Sequence, residues 1–388
     1  MKRIIYIHHG KDIGGAAISL VTLAEKLKDF YKVKVILLYP SSAVDLFKKK
    51  NIPCEVIHYP FHLLVHSRAG RFYVYKLVGL VKILLSWRKR IHYIRHLLEG
   101  EKPDLVHLNS TFLPEWAQAA KASGIPAACH IREPLGNGII IRNIIRRMLK
   151  QSSDRIIAIS KDNAQRLDLP DKTTVSYNFV DFSVFNPDLY DRKKTKTIRV
   201  AYLGGQAEIK GFSWLVESLR YLDPRIGVFF AGYYKSPDDS WKGKAKNILS
   251  LQRRRNQKSL KALTKAVNAE RVGVVRDIPR FLSGCDLLVF PSTRPHFARP
   301  VMEAQAMGLP VVVSDVPGNG EIVQNGSNGY LVKKNDAKGL AEKINLLAGD
   351  NELRQIMGKR GRAMARKKFD SKKNIQEIRN VYQNILNS

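Results

Sequence analysis

The sequence predicts an α/β protein of two similar domains, each a parallel sheet covered by helices on both faces. Three observations predict it. Short, continuous β-branched runs alternate with longer helical patterns, as strands buried on both faces require. The rhythm stops in the charged, aperiodic stretch 187–197 and then restarts. Each half opens with an apolar strand followed by a glycine-containing turn.

The elements follow in order. Ile4-Ile5-Tyr6-Ile7 reads as the first strand, a glycine loop follows, and Ala16 to Phe30 has a helical pattern. Further strands are expected at Val35–Leu38, Leu105–Leu108, Ala127–Cys129 and Ile156–Ile159. Residues 1–186 form the first domain and 187–197 a linker. The second domain, 198–370, opens with Val200–Leu203, Gly204-Gly205 and a helix from about Ile209 to Leu222. Strands are expected at Val228–Ala231, Val272–Val275, Leu287–Phe290 and Val311–Val313, and the tail from Ala337 is mostly helical. The last helix, 371–388, has the option of crossing back to the first domain. Ligands of such sheets bind at the carboxyl ends of strands, and two facing domains would enclose a cleft.

Composition bounds the function. The 388 residues carry 66 Lys+Arg against 34 Asp+Glu, a net charge of +32. That balance points to anionic partners: nucleic acid, phosphorylated metabolites or an anionic membrane surface. The three cysteines, Cys54, Cys129 and Cys285, are scattered and odd in number, which argues against a disulfide framework or zinc site and for a reducing compartment. The first apolar run is too short for a signal peptide. The stretch Phe72–Trp87 contains Lys76 and Lys82 and falls short of a membrane span. A cytoplasmic protein is expected, peripheral on the inner membrane face at most.

Two segments carry chemistry. His8-His9-Gly10-Lys11-Asp12-Ile13-Gly14-Gly15 is either a plain strand-to-helix turn or an anion site at a helix start. It is neither a Walker A loop nor G-x-G-x-x-G. The second segment runs LLVFPSTRPHFARPVMEAQAMGLPVVVSDVPGNGEIVQNGSNG, from Leu287 to Gly329. Pro300 suits a first helical position, which puts Glu303 in the first turn. A carboxylate there is either a helix-start acid favoured by the dipole, or an acceptor for a vicinal diol whose neighbouring phosphate sits on the bare N–H groups.

The pattern P-S-x10-E-A-x-A-x-G-x-P-V-V-x-S-D-x-x-G, followed by G-E-I-V-x-N-G-x-N-G-Y-L-V, resembles the donor-binding half of retaining GT-B glycosyltransferases of family 4. Weaker matches agree in order: Gly14-Gly15, Lys102-Pro103-Asp104-Leu105-Val106-His107, His130, Asn178-Phe179-Val180-Asp181 and Lys210-Gly211. The resemblance implies two Rossmann-like domains facing across a cleft and transfer of a sugar from a nucleotide diphosphate sugar with retained configuration. It implies Glu303 on the ribose, Lys210 on the diphosphate and His130 at the donor sugar, His130 and Lys210 being the catalytic pair. Gly14, Gly15 and the loop Phe297-Ala298-Arg299 would hold phosphates through backbone N–H groups, and Glu321 would help close the donor pocket. No cofactor is implied. There is no D-x-D motif, and Lys210 with helix amides would neutralise the leaving diphosphate in place of Mg²⁺.

This sequence departs from the family at two places. The family pattern E-x7-E ends at Glu303, but Pro295 stands where its first glutamate would be. In G-R-x4-K-G, Gly205 replaces the arginine. Arg294 and Arg299 either supply the missing charge or are exposed surface. These departures keep a rival open, a non-catalytic nucleotide-sugar or glycan-binding subunit on the same fold.

The basic surfaces suggest an acceptor. Phe72–Leu98 reads as one helix with an apolar stripe (Leu80, Leu84, Trp87, Ile91, Ile94, Leu98) and Lys82, Arg88, Lys89, His92, Arg95 and His96 on other faces. It is either a packed first-domain helix or an interfacial helix on anionic lipid. Lys242–Lys265 holds nine Lys/Arg and no acid, and reads as an insertion near the acceptor or the membrane. No nucleic-acid motif is present. A lipid-linked saccharide or another cell-envelope glycan is the expected acceptor, and no nucleic acid the expected partner.

Overall fold

The computed structural model describes residues 1–11, 13–63, 66–68, 71–73, 77–135, 139–191, 196–234 and 251–388; side chains at 64–80 and 136–141 are outside the description. Part of the expected linker, Leu80 and the first part of the basic run from Lys242 fall outside it. Contacts divide the chain into two units, Met1–Phe179 with Ser371–Ser388, and Val180–Asp370.

The first unit holds a seven-stranded, all-parallel sheet. Its strands are β1 (Arg3–His8), β2 (Lys32–Leu37), β3 (Cys54–Val56), β6 (Leu105–Leu108), β7 (Ala127–Ile131), β8 (Arg155–Ala158) and β9 (Thr173–Val175), in the order β3-β2-β1-β6-β7-β8-β9. A separate hairpin pairs β4 (His66–Arg68) with β5 (Arg71–Tyr73). Side chains alternate across the sheet, so each apolar strand feeds two cores. Ile5, Ile7, Val106, Leu108 and Cys129 pack under α4 (Trp87–Glu101), α5 (Pro114–Ala122) and α6 (Ile139–Ser152). Ile4, Tyr6, Val35, Leu105 and Ile157 pack under α1 (Gly15–Leu27) and the last helix, Ser371–Leu386. That helix buries Ile375, Ile378, Val381, Tyr382 and Ile385 in the first unit's core.

The second unit is a six-stranded parallel sheet in the order β12-β11-β10-β13-β14-β15. These are Ala269–Gly273, Ile226–Ala231, Ile198–Tyr202, Leu287–Phe290, Val311–Ser314 and Gly329–Val332. Val200, Tyr202, Val228, Leu287 and Val312 pack against the helices Phe212–Ser218 and Ala337–Gly349. The segment from Val180 sides with this unit, whereas the sequence boundary falls at 186. Val180 donates its N–H to the Phe369 carbonyl, and Arg362 holds the Asn186 side chain at 2.8 Å and lies over Phe182.

Three local readings need correction. The expected helix Phe72–Leu98 is a strand, Arg71–Tyr73, and two helices, α3 (Leu77–Leu85) and α4, parted at Ser86. Its stripe is broken as well: Ile94 and Leu98 are buried, but Leu84 and Leu85 are 60% and 78% exposed. The helix expected over Ile209–Leu222 is a short α-helix, Phe212–Ser218, between two 3-10 turns, because Gly211 at φ 79 breaks its start.

Candidate active site

In the second unit the donor-type motif is largely scaffolding for three loops at the carboxyl ends of strands. Ser292 and Ser314, at the ends of neighbouring strands, are buried and 3.1 Å apart through their hydroxyls. Asn319 donates to the Ser314 carbonyl at 2.8 Å, which fixes the turn Asn319–Glu321 on the same pole. Thr293 donates its N–H to the Ile209 carbonyl at 2.9 Å and its hydroxyl to the Glu208 carbonyl at 3.0 Å. This brings Lys210 beside the donor loop. Gly211 permits the approach, since a Cβ there would lie 1.8 Å from the Pro291 carbonyl oxygen.

Lys210 is half-buried, and its ammonium has no hydrogen-bond or ion-pair partner among the described residues. Burial lowers its pKa. His296, stacked on Phe290 at 5.7 Å, is pushed down to about 4, first by burial and then by the Lys210 charge. A cation held out of water with no counter-ion is a ready site for an anionic group.

Glu303 does not lie in a first turn. The helix begins at Arg299, not Pro300, and runs Arg299–Ala306, so Glu303 falls in its second turn. It pairs with Arg299 at 3.2 Å, with the two side chains 8% and 12% exposed. Burial raises the Glu303 pKa and the Arg299 charge opposes the rise. Arg299 is therefore not exposed surface; its guanidinium pairs with the carboxylate. Ala298 supplies no capping side chain; Pro300 carries no N–H and Val301 donates to the Ala298 carbonyl at 3.1 Å, which leaves the backbone N–H of Arg299 to lead the helix. The Phe297 ring packs on Phe369 at 5.8 Å, leaving its backbone for any ligand role. Arg294 is half-buried in the loop. Glu321 is half-buried, and its carbonyl accepts from Lys368 at 3.2 Å.

Gly205 has a steric reason to be glycine. It sits at φ 55, and a Cβ would come within 2.7 Å of the Tyr233 carbonyl oxygen. An arginine cannot occupy this backbone without moving the Tyr233 backbone.

In the first unit, Gly14 caps α1 and Gly15 opens it, with no side-chain cap. Neither has positive φ, and a Cβ on either would meet nothing within 4 Å. Local packing does not demand glycine at either position, and the space in front of the helix start is open. His130 lies buried in β7, within a network the sequence reading missed. Arg132 donates to Asn109 Oδ1 at 2.6 Å, Asn178 Oδ1 at 2.7 Å and His130 Nδ1 at 3.3 Å. Asn109 Nδ2 lies 3.1 Å from His8 Nδ1. His9 meets Ser110 Oγ at 2.8 Å, which donates to Glu133 at 3.1 Å. The available signal was the recurrence of polar residues where successive strands end: His8-His9, Asn109-Ser110, His130 with Arg132-Glu133, and Asn178.

Comparison with known proteins assigns the family. Residues 13–184 match the model of Glycosyltransferase Family 4, and residues 191–364 that of Glycosyl transferases group 1. The chain belongs to the group 1, family 4 glycosyltransferases, the retaining enzymes of the GT-B fold. An uncharacterized glycosyltransferase of Methanocaldococcus jannaschii is 27% identical over 385 residues, covering 96% of this chain and 95% of that protein. The Escherichia coli UDP-Gal:alpha-D-GlcNAc-diphosphoundecaprenol alpha-1,3-galactosyltransferase is 23% identical over 321 residues, covering 77% of this chain and 80% of that one. Among solved structures, Anabaena HepE in complex with UDP and glucose superposes with a TM-score of 0.77 over 99% of this chain and 100% of that one, at 20% identity. That likeness fixes the GT-B fold of this glycosyltransferase.

Proposed function

We propose that this glycosyltransferase moves a sugar from a nucleoside diphosphate sugar to a lipid-linked saccharide or another cell-envelope glycan. The observation that carries the donor half is Lys210: half-buried, with no counter-ion among the described residues, and beside a helix start without a side-chain cap. Lys210 offsets the charge that grows on the leaving diphosphate, where a preorganised cation is most effective. Glu303 accepts from the ribose hydroxyls with Arg299 holding it ionised. The N–H groups of Gly14, Gly15 and Phe297 to Arg299 hold phosphate oxygens, Arg294 adds positive charge to the donor loop, and Glu321 borders the pocket. His130 contacts the transferred sugar.

The acceptor class rests on relatives and on one surface. HepE is seen with UDP and glucose, and the E. coli relative's name specifies a diphosphoundecaprenol acceptor. In this chain Val81, Leu84 and Leu85 are exposed beside exposed Lys82, Arg88 and Lys89. Apolar side chains ringed by cations suit an anionic membrane surface. Among the described residues no helix is long and apolar enough to cross a membrane.

A second reading, a nucleotide-sugar-binding subunit without turnover, is favoured by Gly205, whose backbone has no room for the missing arginine. A thermal-shift screen of UDP-, GDP-, ADP- and TDP-sugars tests the donor site, because a ligand at 100 times its Kd stabilises by about 2.7 kcal/mol. Slow hydrolysis of the stabilising donor separates transferase from binder. No shift with any of the four classes refutes both readings.

A further inference from the structure

The Arg132 network fixes the hydrogens of two buried histidines. A guanidinium only donates hydrogen bonds. His130 Nδ1, 3.3 Å from Arg132 Nη2, is therefore an acceptor, and the hydrogen of the neutral ring is on Nε2. The same logic passes through Asn109. Its oxygen is taken by Arg132 Nε, so its amide nitrogen faces His8 Nδ1 at 3.1 Å and the Ala16 carbonyl at 3.3 Å. An amide nitrogen also only donates, so the His8 hydrogen is on Nε2 as well.

Both Nε2 atoms are buried and meet no acceptor among the described residues. Other buried donors, such as the Trp116 and Trp214 indoles, also lack partners among the described residues; what sets these two apart is that one network at the strand ends orients both. Neither ring is placed to charge. His8 is pushed down to about 3 by burial, then by His9, with Arg132 adding to the fall and Glu133 opposing it. His130 is lowered by burial, then by Arg132 and His107. Gly10 lets the loop pass close over the His8 ring, since a Cβ on Gly10 would stand 2.5 Å from its Nε2.

We propose that Arg132 is a positioning residue that holds His8 and His130 as Nε2–H donors for oxygen atoms of the bound sugar. The proposal rests on the transferase reading for the identity of the ligand, and on geometry alone for the tautomers. Neutral donors suit hydroxyl and ring oxygens, whereas a diphosphate is better met by Lys210. Sequence comparison pointed to His130 only; His8 and Arg132 enter through the network.

Nitrogen-15 NMR of histidine-labelled full-length protein reads the tautomers directly, with single His→Gln variants for assignment. The wild type shows His8 and His130 neutral and protonated at Nε2; either ring protonated at Nδ1 overturns the proposal. Asn109→Asp is the decisive variant. A carboxylate still accepts from Arg132 but can no longer donate to His8, so the His8 hydrogen moves to Nδ1 while side-chain size is kept. Arg132→Met frees the His130 ring in the same sense, and Arg132→Lys, with charge but no fork, does not restore it. With the donor that stabilises the wild type, Asn109→Asp lowers kcat/KM about three- to tenfold, the value of one neutral hydrogen bond. A shifted tautomer with unchanged kcat/KM refutes the positioning role while leaving the transferase reading intact. A wild type that turns over no nucleotide sugar removes the transferase reading, and the tautomers still decide what Arg132 does.

Discussion

Arg299→Met tests the charge balance of the donor loop most severely. In the folded second unit, Arg299 and Glu303 stand 3.2 Å apart with side chains 12% and 8% exposed. Removing one partner of a buried pair leaves an uncompensated charge, which costs about 3–5 kcal/mol. The slight exposure of both groups points to the lower end, about 3 kcal/mol. For a unit of this size each kcal/mol moves the melting temperature by about 2–4 °C, so the transition should fall by about 6–12 °C. The loss depends on pH with a definite sign. Burial already raises the Glu303 carboxyl above its ordinary value, and Arg299 is what opposes the rise. Without Arg299 it rises further. A carboxyl raised in the folded state binds its proton more tightly there than in the unfolded chain. Its stabilisation is present below the unfolded value and lost as pH climbs through the folded one. The deficit should be small near about pH 5 and full near about pH 8, and adding Glu303→Gln should recover most of it. Differential scanning calorimetry at both pH values reads this directly. An equal loss at both, or no recovery in the double variant, would refute the assigned role of the pair.

Lys210→Ala should lower kcat by about ten- to a hundredfold at saturating donor, because a charge-assisted bond to the leaving group contributes about 1.5–3 kcal/mol; steady-state turnover that is undiminished removes Lys210 from the reaction. Gly205→Arg should destabilise the second unit instead of raising activity, since a Cβ there meets the Tyr233 backbone at 2.7 Å; a variant that melts normally and turns over faster contradicts the steric account. Neutralising Lys82, Arg88 and Lys89 together should abolish salt-reversible flotation with anionic vesicles, while Leu84→Gln with Leu85→Gln should weaken the salt-resistant remainder; equal recovery with neutral and anionic lipid excludes the charge-driven part. Deleting residues 371–388 should leave the first unit unfolded by circular dichroism, because five buried apolar side chains at about 1.5–3 kcal/mol each sum to about the whole margin of an ordinary domain.

The parallel sheets were legible because their strands are apolar on both faces, and Ile4 to Ile7 shows why: alternate residues enter different cores, so no position is left polar. The helix boundaries were less so. Phe72 to Leu98 keeps an apolar period across Ser86, where the backbone leaves the helix, and periodicity does not register a break that preserves phase. The pairing of Arg299 with Glu303 has the i,i+4 spacing of a helical ion pair. It was overlooked because the helix was started one residue late, at Pro300. Gly205 looked like a lost arginine in sequence; only the approach of the Tyr233 backbone shows that it is a position where a side chain has no space. Arg132 left no spacing signature at all. Its bonded partners come from the segment after β6, from β7 and from the segment after β9, and only the sheet order β6-β7-β8-β9 makes them neighbours.

The two units solve opposite electrostatic problems with the same architecture. Each gathers polar side chains where its parallel strands end. In the second unit one of them, Lys210, is a cationic side chain with no counter-ion among the described residues, so it is suited to a ligand that carries or develops negative charge. In the first unit Arg132 donates to the neutral side chains of Asn109, Asn178 and His130, and its field helps keep His8 and His130 uncharged. The donors left over are single N–H groups without charge, each of which can bond a sugar hydroxyl or ring oxygen but offsets none of the charge of a diphosphate. If charge alone had shaped the first unit, Arg132 would face the ligand and the histidines would be dispensable; Arg132→Lys, which keeps the charge and loses the fork that orients Asn109 and His130, separates these two designs.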